Sequence, residues 1–277
     1  MPSEGSGTRR AVLAPALLVL PGVAWLVLFF VLPLLTLART SVAAPWWDAY
    51  TRGFSGYGAV YARSFGFAAL ATVAALLLAY PLAYVLAFRA GRLRPLLFGL
   101  VILPFFTTFL VRTFAWKTIF NDEGLVVRTL QALHLLPPTG RLLDTAWAVV
   151  GGLTYNFLPF MILPIYASLE KIDRRLVEAA QDLFSSPLRA FRLVVLPLSL
   201  PGVLAGSLLT FIPAAGDFVN AELLGGPNQR MIGSVIQSQF LQTRDYPLAA
   251  ALSFGLMAVI ALGVVVAARL LREEQIA

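Results

Sequence analysis

Two carboxylates, Glu178 and Asp182, lie four residues apart in a short charged stretch of an otherwise apolar chain. Side chains at this spacing share one face of a helix. Ionised carboxylates bind Arg and Lys side chains strongly, and Arg in a bidentate geometry, so the pair predicts an edge that docks a basic partner. A solvated amphipathic loop has the same spacing, and both interpretations stay open at this point.

The composition indicates a chain whose main solvent is lipid. Of its 277 residues, 59% are hydrophobic and 13% are charged, whereas a soluble domain carries about a quarter charged residues. The mean hydropathy is +0.81. The net charge of +7 does not indicate nucleic-acid binding, because the arginines lie in short connections between apolar segments, as membrane topology requires.

Six segments are long enough to span a bilayer, which takes roughly 20 apolar residues. They cover residues 11–38, 65–88, 95–116, 145–168, 196–218 and 248–268. We therefore predict an all-α membrane protein with six transmembrane helices, forming one membrane domain over residues 1–277. Prolines interrupt most of these segments, which favours a bundle with an internal pathway, although proline is also common in membrane helices generally.

The orientation follows from the arginines. The short connection 89–94 holds three arginines and no acid, which places it in the cytoplasm, since positive residues in short loops stay inside. Both chain ends are then cytoplasmic, N-in and C-in. Residues 44–64, 121–144 and 222–247 become outer connections, and the first of these is rich in Trp, Tyr and Gly, as an interfacial segment would be.

The cytoplasmic connection 169–195, between the fourth and fifth spans, is long enough to hold structure of its own. Asp173 is placed to cap a helix, and a second short helix is predicted to begin at Ser186-Pro187 and to end before Pro197. The apolar residues of the first helix fall on one predicted stripe. They are Ile172, Leu176, Ala179, Ala180 and Leu183.

At this stretch the chain resembles a known family. The run Glu178-Ala179-Ala180, followed by Leu183, Phe191, Leu196-Pro197-Leu198 and Pro201-Gly202, is similar to the EAA loop of permease subunits in binding-protein-dependent ATP-binding cassette importers. Further matches resemble the spermidine/putrescine branch of that family. They include Leu103-Pro104-Phe105, Arg112, Trp116, Leu158-Pro159-Phe160, Gly216-Asp217-Phe218, Leu223-Leu224-Gly225-Gly226 and Arg244-Asp245-Tyr246-Pro247.

The resemblance implies a type I importer permease in the bacterial inner membrane, whose inner loop is a coupling helix for a cytoplasmic ATPase. The residues expected to couple are Arg175, Glu178, Ala179, Ala180, Asp182, Leu183 and Phe184. The family usually has glycine at position 184. A phenylalanine there departs from the pattern, because glycine suits the left-handed end of a helix.

The expected partners are an ATPase dimer, a second homologous permease, an extracytoplasmic substrate-binding protein and membrane lipid. The chain lacks the phosphate-binding motif G-x-x-x-x-G-K-[ST], so ATP and Mg would be bound by the ATPase, and no cofactor is expected in this chain. Polyamine is the expected cargo. The same loops would also suit a permease for thiamine, iron, sulfate or an organic anion.

The candidates for the cargo path are residues that attract cations or lie near a span end. Intramembrane acids are usually functional, which favours Asp217, while cations also suit aromatic faces. A hydrated acid at the headgroup level and an interfacial aromatic belt are the alternatives for these positions. The full set is Asp217, Asn220, Glu222, Tyr155, Asn156 and Trp116.

Few residues suit catalysis or metal binding. The chain has no cysteine and one histidine, His134, which is followed closely by Pro137-Pro138 in a predicted loop. Thiolate metal sites and most His-based catalysis are excluded, and the resemblance implies a transport subunit without catalytic residues. The alternatives are an intramembrane hydrolase that works without His, a secondary transporter and a structural subunit of another membrane complex.

Overall fold

The computed structural model describes residues 18–274 except 44, 46 and 185. The secondary structure of this part is helical. The helices are α1 Leu18–Ser41, α2 Asp48–Arg89, α3 Gly91–Phe106, α4 Phe109–Ile119, α5 Leu125–Ala132, α6 Ala146–Glu170, α7 Arg174–Phe184, α8 Pro187–Ala215, α9 Val219–Leu224, α10 Ile232–Ser238 and α11 Tyr246–Glu274. The first residues of the predicted first span, 11–17, lie outside the described part.

The centre of the bundle is formed by α2, α6 and α8, which pack against one another along their lengths. Helix α2 faces the other two with a stripe of alanines. These are Ala68, Ala71, Ala75, Ala79 and Ala83, all of them fully buried. Small side chains let membrane helices approach closely, so that van der Waals contacts hold them together where lipid supplies no hydrophobic drive.

Glycine serves the same purpose between α6 and α8. A Cβ on Gly202 would lie 2.5 Å from the carbonyl oxygen of Pro164, and a Cβ on Gly206 would lie 3.0 Å from that of Met161. Contacts this short leave no room for a larger side chain. The two helices therefore touch backbone to backbone at these points.

Helices α3 and α4 occupy the place of the third predicted span, but they form a broken pair with a bend of 94°. The break falls at Thr107 and Thr108, whose backbones are extended, and the turn before it, Leu103–Phe106, is a 3₁₀-helix that contains Pro104. Proline removes one helical hydrogen bond and forces a kink. The prediction of one continuous span over 95–116 is therefore wrong, although the pair counts as a sixth crossing if its two halves are taken together.

Helix α2 begins far earlier than predicted, at Asp48 rather than near residue 65. Most of the segment expected to be an outer connection is therefore helix. Its early turns pack on α11, where the Tyr61 hydroxyl donates to the Leu252 carbonyl at 2.5 Å and Gly53 lies against the Leu252 side chain. These tertiary contacts stabilise this part of the helix, whose glycines lower its intrinsic helix propensity.

The fifth predicted span also begins earlier. The structure continues from Pro187 through a π-helical turn at Phe191–Val195 into Leu196–Ala215. The prediction of a separate short helix that ends before Pro197 is therefore wrong. In the π-turn the Leu196 amide donates to the Phe191 carbonyl, five residues back, and the helix passes Pro197, which has no N–H to donate.

Candidate functional site

Helix α7 lies at one end of the bundle, directly after α6. The Asp173 carboxylate accepts a hydrogen bond from the Arg175 amide at 2.9 Å, which caps the first turn as predicted. Ile172 and Val177 are buried in the same apolar cluster as Val195 and Leu86. The helix is thus fastened to α2 and α8 by its base, so that its position follows theirs.

The fold buries only part of the predicted apolar stripe of α7. Ile172 and Ala180 are buried, but Leu176, Ala179 and Leu183 are exposed, with Leu183 at 78% of its maximal exposure. The prediction of a single shared stripe is wrong in this respect. Val177, which was left out of the stripe, takes the buried position because it faces the bundle beside Ala180.

The exposed strip formed by Leu176, Ala179 and Leu183 is bordered by acids. Glu178 and Asp182 are both exposed and have no ion pair within the described residues. Arg175 is also exposed. We call this set the α7 surface; its combination of small and large apolar side chains with free carboxylates is typical of a protein-docking face. The side chain of Phe184 lies outside the described part.

An ion pair stabilises the base of α7. Arg94, at the start of the α-helical part of α3, pairs with Glu170 at the end of α6, and its guanidinium lies 5.0 Å from the centre of the Tyr166 ring. The contact joins the connection between α2 and α3 to the last turn before α7. Arg94 was predicted only as a marker of orientation, and its partner was not recognised in the sequence.

At the other end of the bundle, a chain of buried polar side chains joins α4, α6 and α9. The Asn156 amide donates to Thr113 Oγ1 at 3.1 Å and to Asn220 Oδ1 at 3.0 Å. Asn220 in turn donates to Asp217, from its backbone at 2.7 Å and from its side chain at 3.2 Å. We call Thr113, Asn156, Asp217 and Asn220 the polar cluster; each of the four is buried.

The hydrogen bonds of the polar cluster explain how Asp217 can be buried without any ligand. Its two carboxylate oxygens accept the backbone and side-chain hydrogen bonds of Asn220, and they thereby cap the short helix α9. Helix α9 packs closely on α6 at Gly152, which has no side chain. A Cβ at this position would meet the Leu224 side chain and lie 2.6 Å from Asn220 Oδ1. Glu222, by contrast, is exposed.

Two further predicted residues meet in an aromatic group. The Tyr155 ring contacts Trp116 edge to face at 5.2 Å and stacks with Phe105 at 5.8 Å. The Arg112 guanidinium lies 4.3 Å from the centre of the Phe105 ring. Among the described residues its buried Nε and Nη1 atoms have no hydrogen-bond partner, and the guanidinium lies against ring faces, which attract cations.

The structure thus separates the six predicted path residues. Asp217, Asn220 and Asn156 belong to the buried polar cluster, Tyr155 and Trp116 belong to the half-buried aromatic group, and Glu222 is exposed. Phe105 and Arg112 were noted in the sequence as family-like positions and were not placed on the cargo path. The spacing of Arg112, Phe109 and Trp116 along one helix could have placed them on a common side.

Comparison with known proteins decides the family. Residues 79–272 match the family described as "Binding-protein-dependent transport system inner membrane component". The spermidine/putrescine transport system permease protein PotB of Escherichia coli (strain K12) is 40% identical over 266 residues, which cover 91% of this chain and 97% of that protein.

The chain belongs to this family of permeases. PotB of Haemophilus influenzae is 41% identical over 216 residues, with 78% of this chain and 76% of that protein covered. The permease fold is also seen in a bacterial ABC transporter that imports the acidic polysaccharide alginate, with a TM-score of 0.73, 19% identity and 96% of both chains covered. The predictions of an inner-membrane location and of a transport subunit rather than an enzyme are therefore confirmed.

Proposed function

We propose that this permease is the membrane subunit of a polyamine importer, with spermidine or putrescine as cargo. The observation that carries the proposal is the identity of 40% to the E. coli spermidine/putrescine permease along nearly the whole of both chains. The alginate importer supports the fold alone, because only 19% of its residues are identical.

The α7 surface is the proposed contact with a cytoplasmic ATPase, which would bind the ATP and Mg. Its exposed Leu176, Ala179 and Leu183 would enter an apolar groove, and Glu178 would pair with a basic residue at the rim of that groove. Since Ile172 and Val177 are buried against α2 and α8, a movement of α7 would be passed to the helices at the centre of the bundle.

A second permease is the proposed partner for an exposed ridge of α8. The ridge winds around the helix through residues spaced by four, all of them exposed: Leu193, Pro197, Pro201, Ala205, Leu209 and Pro213. An interior proline leaves the carbonyl four residues earlier without a helical donor. Lipid cannot satisfy such a carbonyl, whereas a packed helix or a water-filled path can, so this ridge is suited to a subunit interface that encloses the path.

The proposed contacts with cargo follow from exposure and charge. A polyamine is a flexible cation, and the half-buried rings of Tyr155 and Trp116 offer faces that attract cations. Glu222 is an exposed carboxylate on α9. Asp217 contributes indirectly, by holding α9 in place through its hydrogen bonds to Asn220.

Reconstitution tests the proposed function. The permease is purified with its second permease, ATPase and binding protein and placed in liposomes, and uptake of radiolabelled spermidine and putrescine is measured with ATP inside. We expect uptake that requires both ATP and the binding protein. Uptake of thiamine, iron, sulfate or an organic anion with no uptake of polyamine would overturn the cargo, and a complex without ATPase activity would overturn the function itself.

A further inference from the structure

A groove of about 390 Å³ lies between α2 and α8 at the end of the bundle that carries α7. Phe191 forms one side, with its ring edge to face against Tyr80 at 5.6 Å and Tyr84 at 6.0 Å. The complete lining is Tyr80, Pro81, Tyr84, Val85, Arg89 and Phe191. The Tyr80 hydroxyl already bonds to Ser199 Oγ at 2.8 Å, so this wall of the groove is mainly apolar.

The charge of the groove comes from Arg89, the last residue of α2. Arg89 is exposed, and its side chain forms no salt bridge or hydrogen bond with any of the described residues. Arg92 and Arg192, which follow Arg89 and Phe191 closely in the chain, are exposed and unpaired in the same sense. Arg94, in contrast, pairs with Glu170.

We propose that this groove binds an anionic phospholipid from the leaflet on the α7 side, with the phosphate on Arg89 and an acyl chain along Val85, Pro81 and the rings. Arg89 directly follows the apolar part of α2, residues 65–88, and lipid phosphates lie just outside the hydrocarbon core that a segment of this length spans. An apolar groove below unpaired arginines matches the two parts of such a lipid, and basic pockets between membrane helices on the cytoplasmic side bind anionic headgroups.

The position of Phe191 favours lipid over the second permease as the occupant. The exposed proline ridge of α8 proposed for that subunit begins at Leu193, two residues farther along the chain. Phe191 and Leu193 lie in one π-helical turn, in which two residues correspond to nearly half a turn, so at this level of α8 Phe191 faces roughly away from the ridge. The arginine rim also disfavours a polyamine, which carries the same sign of charge.

A cross-linking experiment distinguishes these occupants. A photoreactive benzophenone amino acid replaces Val85 in the assembled transporter, which is irradiated in native membranes and analysed by mass spectrometry. We expect an adduct with a phospholipid. An adduct with the second permease, or no lipid adduct, would overturn the proposal, and this test keeps Arg89 intact.

A second experiment measures selectivity for the headgroup. The transporter is reconstituted with equal amounts of phosphatidylglycerol and phosphatidylcholine, and the lipids retained after purification are counted by native mass spectrometry. Arg89→Gln should reduce retained phosphatidylglycerol several-fold, Arg89→Lys should keep most of it, and Arg128→Gln, an exposed arginine on α5, should change nothing. Equal retention of the two lipids, or an unchanged Arg89→Gln complex, would show that the site does not exist.

Discussion

The two ends of this molecule use carboxylates in opposite ways. On the α7 surface, Glu178 and Asp182 are exposed and unpaired within the described chain. In the polar cluster, Asp217 is buried, and both of its oxygens are occupied by Asn220. A carboxylate without an internal partner is available to another protein, whereas a buried one must be satisfied internally because desolvation makes an unpaired charge very unfavourable.

The two ends should therefore fail in different ways when they are altered. A change on the α7 surface should affect coupling and leave the bundle folded. A change in the polar cluster should affect folding first, and transport only as folded protein is lost. The following substitutions compare the ends directly.

The largest effect is expected from Glu178→Lys. Reversal of this charge would place like charges together at the ATPase contact, which disfavours association by several kcal/mol, so ATPase activity stimulated by the binding protein should fall roughly tenfold or more. The melting temperature of the permease should stay unchanged. Glu123→Lys, an exposed acid in the connection between α4 and α5, is the matched control and should retain coupling.

Asp217→Ala is expected to lower the free energy of unfolding by about 1–3 kcal/mol, because it leaves buried donors of Asn220 without an acceptor. Thermal unfolding in detergent measures this loss. Asp217→Asn keeps one carbonyl oxygen and should lose less stability. If Asp217→Asn abolished uptake while the melting temperature stayed the same, Asp217 would contact cargo, and the structural role given to it would be wrong.

Gly152→Ala tests the packing around the polar cluster. The added methyl group would press on Leu224 and on Asn220 Oδ1, and overpacking of this kind is destabilising by about 1–3 kcal/mol when the surroundings cannot move. Gly151→Ala is the matched control, because a Cβ there would meet no atom within 4 Å. Equal melting temperatures for the two variants would mean that α9 is not held tightly against α6.

The smallest effect is expected at the ion pair between Arg52 and Asp245, in which Nη1 and Oδ2 lie 2.8 Å apart. Partial burial raises the pKa of Asp245, but hydrogen bonds from Arg52 and from the Leu248 amide, with the Arg52 charge, outweigh burial and leave the pKa below its ordinary value. The stabilising contribution is therefore complete above the pKa of the unfolded chain, near 3.9, and is lost as the pH falls through the lower folded value.

Asp245→Asn should accordingly lower the free energy of unfolding by about 0.2–1 kcal/mol at neutral pH, as for other exposed pairs. The difference from the native chain should shrink in high salt and disappear at strongly acidic pH. Urea unfolding at several pH values would reveal this pattern, and a difference that grew on acidification would contradict the assigned pKa direction.

The sequence predicted most of the fold because length and apolarity identify membrane spans with few alternatives. It missed the break at Thr107 and Thr108, since two threonines after a proline do not specify a bend of 94°. It also missed the early start of α2, because the contacts of Gly53 and Tyr61 with Leu252 join residues nearly two hundred positions apart.

The candidate site was predictable to different degrees at its two ends. Glu178 and Asp182 are exposed, and their spacing predicted that they share one face of a helix, whereas the docking role was implied by the family resemblance. The role of Asp217 was not predictable, because its burial depends on the packing of α9 against α6 and on Asn156 from a distant segment. Leu176 was predicted on the apolar stripe but is exposed, and Val177, which was not placed on it, is buried, since the bundle rather than the helical period decides which side of α7 is covered.

Site-specific cross-linking of α7 tests whether the α7 surface contacts the ATPase. A benzophenone amino acid replaces Leu183 in the reconstituted importer, with the same replacement at Leu125 on α5, an equally exposed leucine, as the control. We predict an adduct between position 183 and the ATPase subunit and none from position 125. An ATPase adduct from position 125, or from neither position in an actively transporting complex, would contradict the assignment of the α7 surface as the coupling site.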